Sequence, residues 1–106
     1  MPARVIGFIS EWDRDGHFAE HRAEFGGRFA DSLEYEAGAV AFFDLPLAGN
    51  MMEGMRTDGW KIRFDSATDE FAICDPDGYI RTYFKPDPRK HKLANNVAYF
   101  RRRCAI

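Results

Sequence analysis

Residues 60–86 read WKIRFDSATDEFAICDPDGYIRTYFKP, and they predict three consecutive antiparallel strands on which the rest of the chain packs. Apolar and polar side chains alternate over residues 60–65, which is the period of a strand with one buried and one solvated face. Residues 70–74 predict a second strand, and the sequence DPDG at 75–78 favours a type I turn. A third strand is predicted over residues 79–85.

The pairing within the last hairpin determines which side chains share a face. If residues 75–78 close the turn, Ile73 pairs with Ile80 and Phe71 pairs with Thr82. This pairing predicts one core face and one solvated face. The predicted core residues are Phe71, Ile73, Ile80 and Phe84. The predicted solvent-facing residues are Tyr79, Arg81, Tyr83 and Lys85. We interpret this solvated face, with its tyrosine, arginine and lysine side chains, as the leading candidate for a functional surface.

Two helices are predicted upstream of these strands, after a polar turn at residues 11–16. Residues 16–25 carry aromatic side chains at helical spacing, and residues 31–43 carry an apolar stripe. Residues 51–57 predict a weaker strand that an Asp-Gly turn joins to the next one. The predicted fold class is therefore α+β, with two N-terminal helices packed on a four-stranded antiparallel meander sheet.

Both ends of the chain allow two interpretations. Residues 1–10 contain an apolar run that predicts either an edge strand or an arm packed on the body. Two prolines argue against regular structure in residues 86–92, and residues 93–106 predict either a short helix or a last edge strand. An apolar arm could pair with the sheet edge of another chain, so the protein is expected to be a monomer or a dimer.

The length of 106 residues suits a single domain, residues 1–106, with one hydrophobic core. No apolar run approaches the roughly 18 residues of a membrane helix, so no membrane partner is predicted. The N-terminus lacks the pattern of a signal peptide, and we therefore expect a cytoplasmic protein. Cys74 and Cys104 have no metal-type spacing and are expected to be reduced thiols.

Charge is distributed unevenly along the chain. Residues 1–59 carry five basic and eleven acidic side chains, whereas residues 60–106 carry ten basic and six acidic ones. The overall net charge of −2 argues against a strongly cationic nucleic-acid binder. The excess of basic residues in the C-terminal half nevertheless allows one basic surface to face a phosphate backbone. The alternative interpretation is that charges are simply scattered unevenly in a short chain.

His17 and His21 are four residues apart, so a helix places both rings on one face. A histidine pair beside cations is what RNA cleavage without a metal requires. One group takes the proton of the 2′-hydroxyl, and another protonates the leaving 5′-oxygen. Arg81 and Lys85 are the candidates for the fixed cation that stabilises the charge on phosphorus. We therefore predict these four residues as the catalytic set.

Further residues of the strands are candidates for substrate binding. Tyr79 and Tyr83 could stack on bases or donate hydrogen bonds to them. Thr82, between them in the last strand, and Arg63, on the polar side of the 60–65 strand, complete this group. The alternative is that these polar residues only keep a sheet surface solvated.

The sequence HFAEH at residues 17–21 also fits H-x-x-E-H, an inverted zinc-protease pattern. A pattern with two free positions is weak, and such enzymes need a third ligand and a larger cleft than a chain of this length normally provides. A non-catalytic contact of the two histidines with a phosphate or nucleic acid, and an ordinary solvated helix face, are further alternatives. No metal and no cofactor are predicted.

Three segments carry a resemblance to a known group of proteins. These are GHFAEHRAEFGGRFA at 16–30, DSATDEFAICDPDGYIRTYFKPDP at 65–88 and NNVAYF at 95–100. The chain resembles small C-terminal toxin domains of bacterial contact-dependent inhibition and polymorphic toxin systems, which are similar to the barnase, EndoU, colicin and RelE group of metal-independent ribonucleases. The resemblance implies that His17 or His21 acts in proton transfer. It also implies that Arg81, Thr82 and Lys85 hold the scissile phosphate.

The sequence therefore leads to two functional hypotheses. The first is a metal-independent endoribonuclease toxin-like domain that cleaves RNA by attack of the 2′-hydroxyl, with tRNA among the candidate substrates and a cognate immunity protein as an expected partner. Export as part of a larger toxin is the alternative to a cytoplasmic location. The second hypothesis is a non-enzymatic module of the same fold, which binds protein or nucleic acid through the basic and aromatic strand face.

Overall fold

A computed structural model describes residues 4–105, which form an α+β fold around one five-stranded mixed sheet. The strands are β1 (Gly7–Phe8), β2 (Met51–Met55), β3 (Lys61–Asp65), β4 (Glu70–Cys74) and β5 (Tyr79–Phe84). The helices are α1 (Glu11–His21), α2 (Ser32–Asp44), α3 (Pro88–His91) and α4 (Asn96–Cys104). The longest of these helices has 13 residues, whereas a bilayer requires about 20, so none of the helices within 4–105 could cross a membrane.

The strand order is β1-β5-β4-β3-β2. Strands β2 to β5 form the predicted antiparallel meander. Strand β1 adds a parallel edge to it, with Gly7 paired to Tyr79 and Phe8 paired to Ile80. The prediction of a purely antiparallel four-stranded sheet is therefore wrong in detail, and the edge-strand interpretation of residues 1–10 is confirmed at residues 7 and 8. Residues 1–3 of that segment lie outside the described range.

Both faces of the sheet are covered, which contradicts the prediction of one solvated face. Side chains from α1 and α2, among them Tyr35 and Phe42, pack against Ala72 and Tyr83. Successive residues of a strand point to opposite faces, so Phe71 lies on the other side, where it packs in a cluster with Phe100 of α4. The helices α1 and α2 thus cover the face of Ala72 and Tyr83, which was predicted to be solvated, and the C-terminal helix covers the predicted core face.

The predicted turn at residues 75–78 is present, because the backbone N–H of Gly78 donates to the carbonyl of Asp75 over 3.0 Å, but the strands pair one residue further into it than predicted. The backbone N–H of Asp75 donates to the carbonyl of Tyr79 over 2.9 Å, which leaves residues 76–78 as the loop. Gly78 has φ +95°, a left-handed conformation that glycine adopts without a steric penalty. A type I turn followed by a left-handed residue is the common geometry of three-residue hairpin loops.

A β-bulge shifts the pairing of β4 and β5 further. Phe71 pairs with Phe84 and Cys74 pairs with Ile80, so Arg81 has no partner on β4. The extra residue rotates the strand, and Ile80 and Tyr83 consequently face the same helical layer. The predicted Ile73–Ile80 and Phe71–Thr82 pairs are wrong. The four predicted core residues are accordingly divided between the two faces of the sheet.

Capping residues set the ends of the helices. The side chain of Ser10 accepts a hydrogen bond from the backbone N–H of Asp13 over 3.0 Å, so α1 begins at Glu11 and the predicted turn at 11–16 is wrong. Asp31 caps α2 in the same way, close to the predicted start of that helix.

The C-terminal segment contains two capped helices. Asp87 caps α3, whose first residue is Pro88, a position that tolerates proline because its missing N–H has no partner there. The prediction that prolines prevent regular structure in this segment is therefore wrong. Asn95 caps α4 by accepting from the N–H of Ala98 over 2.8 Å, which resolves the two interpretations of the C-terminus in favour of the helix.

Arg63 is a buried structural residue, contrary to its predicted role in substrate binding. Its side chain is 8% exposed. The Nε donates to Glu53 over 2.8 Å, and Nη1 donates to the backbone carbonyls of Phe42 and Leu45 at the C-terminal end of α2. The guanidinium therefore satisfies carbonyl groups that a helix end leaves without partners.

Replacing Arg63 by methionine is expected to lower the free energy of unfolding by about 2–3 kcal/mol, because Glu53 and two carbonyls lose their donor. Urea denaturation followed by circular dichroism measures this change. Arg89→Met is the matched control: Arg89 also pairs with an acid, but its side chain is 91% exposed, so about 0–1 kcal/mol is expected. Equal losses in the two variants would contradict the structural role of Arg63.

Candidate active site

A cleft of about 340 Å³ opens between α1 and the segment that follows β5. His21 and Glu24 line it from α1 and the 3₁₀ turn at Arg22–Phe25. Lys85 lines it from the chain just after β5, and Lys90 and His91 line it from α3. The structure thus brings together two of the predicted catalytic residues, His21 and Lys85, and places beside them residues that were not predicted, among them Glu24, Lys90 and His91.

The imidazole of His21 is held in one orientation. Its Nδ1 lies 2.8 Å from Oε2 of Glu24, and its ring stacks on Phe84 with 5.1 Å between the ring centres. An ionised carboxylate only accepts hydrogen bonds, so Nδ1 carries the proton and Nε2 keeps a free lone pair in the neutral ring. Glu24 also accepts the backbone N–H of Lys85 over 2.8 Å through Oε1. One carboxylate therefore ties the histidine to the end of β5.

His17 lies on the same helix face as His21, as predicted, but it does not line the cleft. The two rings stack with 6.0 Å between their centres, and His17 also stacks on Phe8 at 5.3 Å. Burial lowers the pKa of His17, and the carboxylate of Asp13 opposes that shift. The ring borders a separate shallow depression next to Trp12.

The other residues predicted to hold the phosphate lie apart from the cleft. Arg81 occupies the bulge, where its guanidinium is 3.6 Å from Asp75 and 5.5 Å from the centre of the Trp60 ring. Thr82 pairs with Ile73 in the sheet and is half-buried. The predicted trio of Arg81, Thr82 and Lys85 is therefore divided, and only Lys85 reaches the cleft.

The two tyrosines predicted to contact bases differ in their surroundings. Tyr79 is half-buried at the start of β5, and its backbone N–H donates to Asp75 over 3.0 Å. Tyr83 is fully buried, so its predicted role in base stacking is wrong. Its hydroxyl donates to Glu70, which also pairs with Arg28 at 2.9 Å. Tyr83 lies on the predicted face of the sheet, the face of Glu70 and Ala72, and it is buried because α1 and α2 cover that face.

His91 is the third histidine of the chain and has both ring nitrogens engaged. Its Nδ1 accepts the backbone N–H of Leu93 over 3.1 Å, and its Nε2 lies 2.9 Å from Oδ1 of Asn96. The ring stacks on Tyr99 at 4.7 Å between centres. These contacts assign His91 a structural role at the cleft wall. The sequence KHK at 90–92 was the available signal for Lys90 and His91, but the neighbouring prolines led us to predict an irregular loop.

Within residues 4–105, His17, Glu20 and His21 form a group that could hold a metal ion, since one ligand atom of each lies within 4.8 Å of the others. Glu20 is the residue of this group that was not predicted as a site residue. Its Oε2 lies 3.7 Å from Nε2 of His21, and its side chain is 72% exposed. The group coincides with the H-x-x-E-H pattern.

A comparison with protein-family models gives no match for this chain, and no curated protein matches it significantly. The resemblance to ribonuclease toxin domains consequently remains a hypothesis.

Proposed function

We propose that this protein is a metal-independent endoribonuclease in which Nε2 of His21 takes the proton from the 2′-hydroxyl of RNA. The pairing of His21 Nδ1 with Glu24 carries this proposal, because it orients the imidazole and leaves Nε2 as the basic atom in a cleft that also contains lysines. A histidine fixed by a carboxylate is the usual arrangement of a general base in phosphoryl and acyl transfer.

Lys85 and Lys90 supply the positive charge that such a reaction requires. Three carboxylates, those of Glu20, Glu24 and Asp87, share the cleft with them. Two of these are already engaged, since Glu24 bonds to His21 and to the chain at residue 85, and Asp87 accepts from Arg89. The hydrogen bonds from Arg89 also hold the pKa of Asp87 below its usual range. Lys90 also lowers the pKa of Asp87 through its charge, but neither Lys90 nor Lys85 forms a salt bridge within residues 4–105, which supports their availability to a phosphate.

The second proton transfer, to the leaving 5′-oxygen, falls to a lysine ammonium of the cleft. His91 is excluded because both of its nitrogens are bonded, and His17 lies outside the cleft. This assignment replaces the predicted pair of His17 and His21 by His21 with Lys85 or Lys90. Under this proposal the substrate is RNA, with tRNA among the candidates, and a cognate immunity protein is expected to inhibit by covering the cleft.

The experiment that tests this function is incubation of the purified protein with total RNA and with tRNA in excess EDTA. Cleavage that leaves 2′,3′-cyclic phosphate ends is expected, because the 2′-oxygen attacks the adjacent phosphorus. An oligonucleotide with a single 2′-deoxy nucleotide at the mapped cleavage site is the matched control and is expected to stay intact. Absence of cleavage for every RNA, or cleavage of the 2′-deoxy control, would overturn the proposal.

A non-enzymatic module that binds RNA in the same cleft is the second candidate function. This alternative is favoured because, of the two histidines in the cleft, His21 alone has a ring nitrogen without a hydrogen bond. The predicted mechanism used a pair of histidines. Binding of RNA that depends on Lys85 and Lys90, without cleavage, would support this alternative.

A further inference from the structure

The helix face that carries His17 and His21 has a second possible function, which shares His21 and Glu20 with the cleft. His17, Glu20 and His21 stand at positions i, i+3 and i+4 of the helix, which places them on one face. One ligand atom of each lies within 4.8 Å of the other two. We propose that these three side chains bind a divalent transition-metal ion such as Zn²⁺.

The donor set determines which ions fit. Two imidazoles and one carboxylate suit Zn²⁺, Ni²⁺, Cu²⁺ or Co²⁺, whereas Mg²⁺ and Ca²⁺ require sites built mainly of oxygen ligands. Zinc binds such donors at about 2.0–2.2 Å, so ligand atoms in a tetrahedral site lie roughly 3.5 Å apart. The three side chains must therefore close by about 1 Å, and Glu20, which is 72% exposed, is free to rotate toward the ion.

Both imidazoles are available for coordination. Glu24 holds the Nδ1 of His21, and a metal-bound histidine typically donates its other ring nitrogen to a carboxylate in this manner. In His17, Nδ1 is buried without a hydrogen-bond partner, and Nε2 lies 3.6 Å from Asp13, beyond hydrogen-bond distance. Neither nitrogen of His17 is thus committed to a strong hydrogen bond, in contrast to His91.

A supporting carboxylate and an entry path are also present. Asp13 is one helical turn before His17, and its carboxylate, 3.6 Å from Nε2 of His17, can support that histidine from outside the coordination. His17 and Glu20 border the shallow depression beside Trp12, so an ion reaches them directly from solvent. Because the three ligands belong to one helix, the site does not depend on a movement of the sheet.

Metal binding has a consequence for the cleft. The Nε2 of His21 cannot coordinate an ion and take a proton from RNA at the same time, so bound Zn²⁺ is expected to inhibit cleavage. This consequence rests on the proposed function, whereas the metal site itself does not.

The test is isothermal titration of Zn²⁺ into the untagged chain after removal of metal with EDTA and buffer exchange. One ion per chain is expected, and Co²⁺ is expected to give the visible absorption of a four- or five-coordinate site. Glu20→Gln is the first variant, because an exposed side chain can be changed without disturbing the core; it should weaken Zn²⁺ binding at least about tenfold. Glu34→Gln, an exposed acid on α2, is the matched control and should leave the affinity unchanged.

His17→Ala is a second variant, checked for folding by circular dichroism, and should also weaken binding at least about tenfold. His91→Ala is its control and should retain the wild-type affinity. Absence of Zn²⁺ binding by the wild-type chain, or unchanged affinity in both Glu20→Gln and folded His17→Ala, would overturn the metal site. A chain that binds Zn²⁺ but cleaves no RNA in EDTA would overturn the proposed function and leave the metal site standing. Cleavage that is unaffected by saturating Zn²⁺ would overturn the inhibition alone.

Discussion

Replacing His21 by asparagine is expected to lower the rate of RNA cleavage about 10²- to 10⁴-fold, the typical contribution of a general base. The asparagine amide can still donate a hydrogen bond to Glu24 in place of Nδ1, but it offers no basic atom at the position of Nε2. The change therefore removes proton abstraction while it retains the link between α1 and the end of β5. Single-turnover cleavage of a defined RNA in EDTA measures the rate.

The control for this prediction is His17→Asn, which changes a ring on the same helix face but outside the cleft. Its cleavage rate is expected to stay within a few-fold of the wild-type rate, and both variants should keep the wild-type circular dichroism spectrum. A folded His21→Asn variant that cleaves at the wild-type rate would rule out His21 as the base. A large loss of cleavage rate in His17→Asn instead would assign the role of general base to His17.

Replacing Tyr83 by alanine is expected to lower the free energy of unfolding by about 3–5 kcal/mol, the usual cost of truncating a buried aromatic side chain. Tyr83 belongs to β5 and is fully buried against the α1–α2 layer. Burial raises the pKa of both Tyr83 and Tyr35, so both hydroxyls stay protonated and act as donors. Tyr83 donates to Glu70, and Tyr35 donates to the backbone carbonyl of Tyr83.

A second variant at the same position separates the hydrogen bond from the ring. Tyr83→Phe keeps the aromatic volume but leaves the buried carboxylate of Glu70 without one of its two donors, and a loss of about 1–3 kcal/mol is expected. Urea denaturation measures both losses. Tyr79→Phe, at a half-buried position of the same strand, is the control, and its expected loss in the free energy of unfolding is less than about 0.5 kcal/mol. A Tyr83→Phe variant as stable as the control would show that the Glu70 contact adds no stability.

Local patterns were sufficient to predict most of the secondary structure. Residues 61–65 and 70–74 form strands that the alternation and the flanking turn residues indicate, and α2 begins directly after the capping residue Asp31. These features depend on side-chain period and on the conformational preferences of a few neighbouring residues, both of which can be inferred directly from sequence. The same local chemistry placed His17 and His21 on one helix face.

The pairing of the last hairpin could not be predicted in this way. The sequence DPDG is compatible with a four-residue turn and with the three-residue loop that ends at Gly78, and these differ by one position in register. The bulge at Arg81 adds a further shift. Because side chains alternate between faces, the one-position shift at the loop moved Ile80 to the face of Ala72, whereas Tyr83, beyond the bulge, lies on its predicted face. Tyr83 is buried because α1 and α2 cover that face, which no local pattern indicates.

The candidate site also combines residues that the sequence predicts with a contact that forms only in the tertiary structure. His21 and Lys85 could be proposed from residue type and position, but Glu24, which orients His21, contacts the backbone of Lys85 across 61 positions of the chain. No local pattern carries that contact, since it exists only after α1 has packed beside the end of β5. Sequence period and turn chemistry thus specify the strands, helices and histidine pair, whereas burial of both sheet faces selects which polar side chains meet in the cleft.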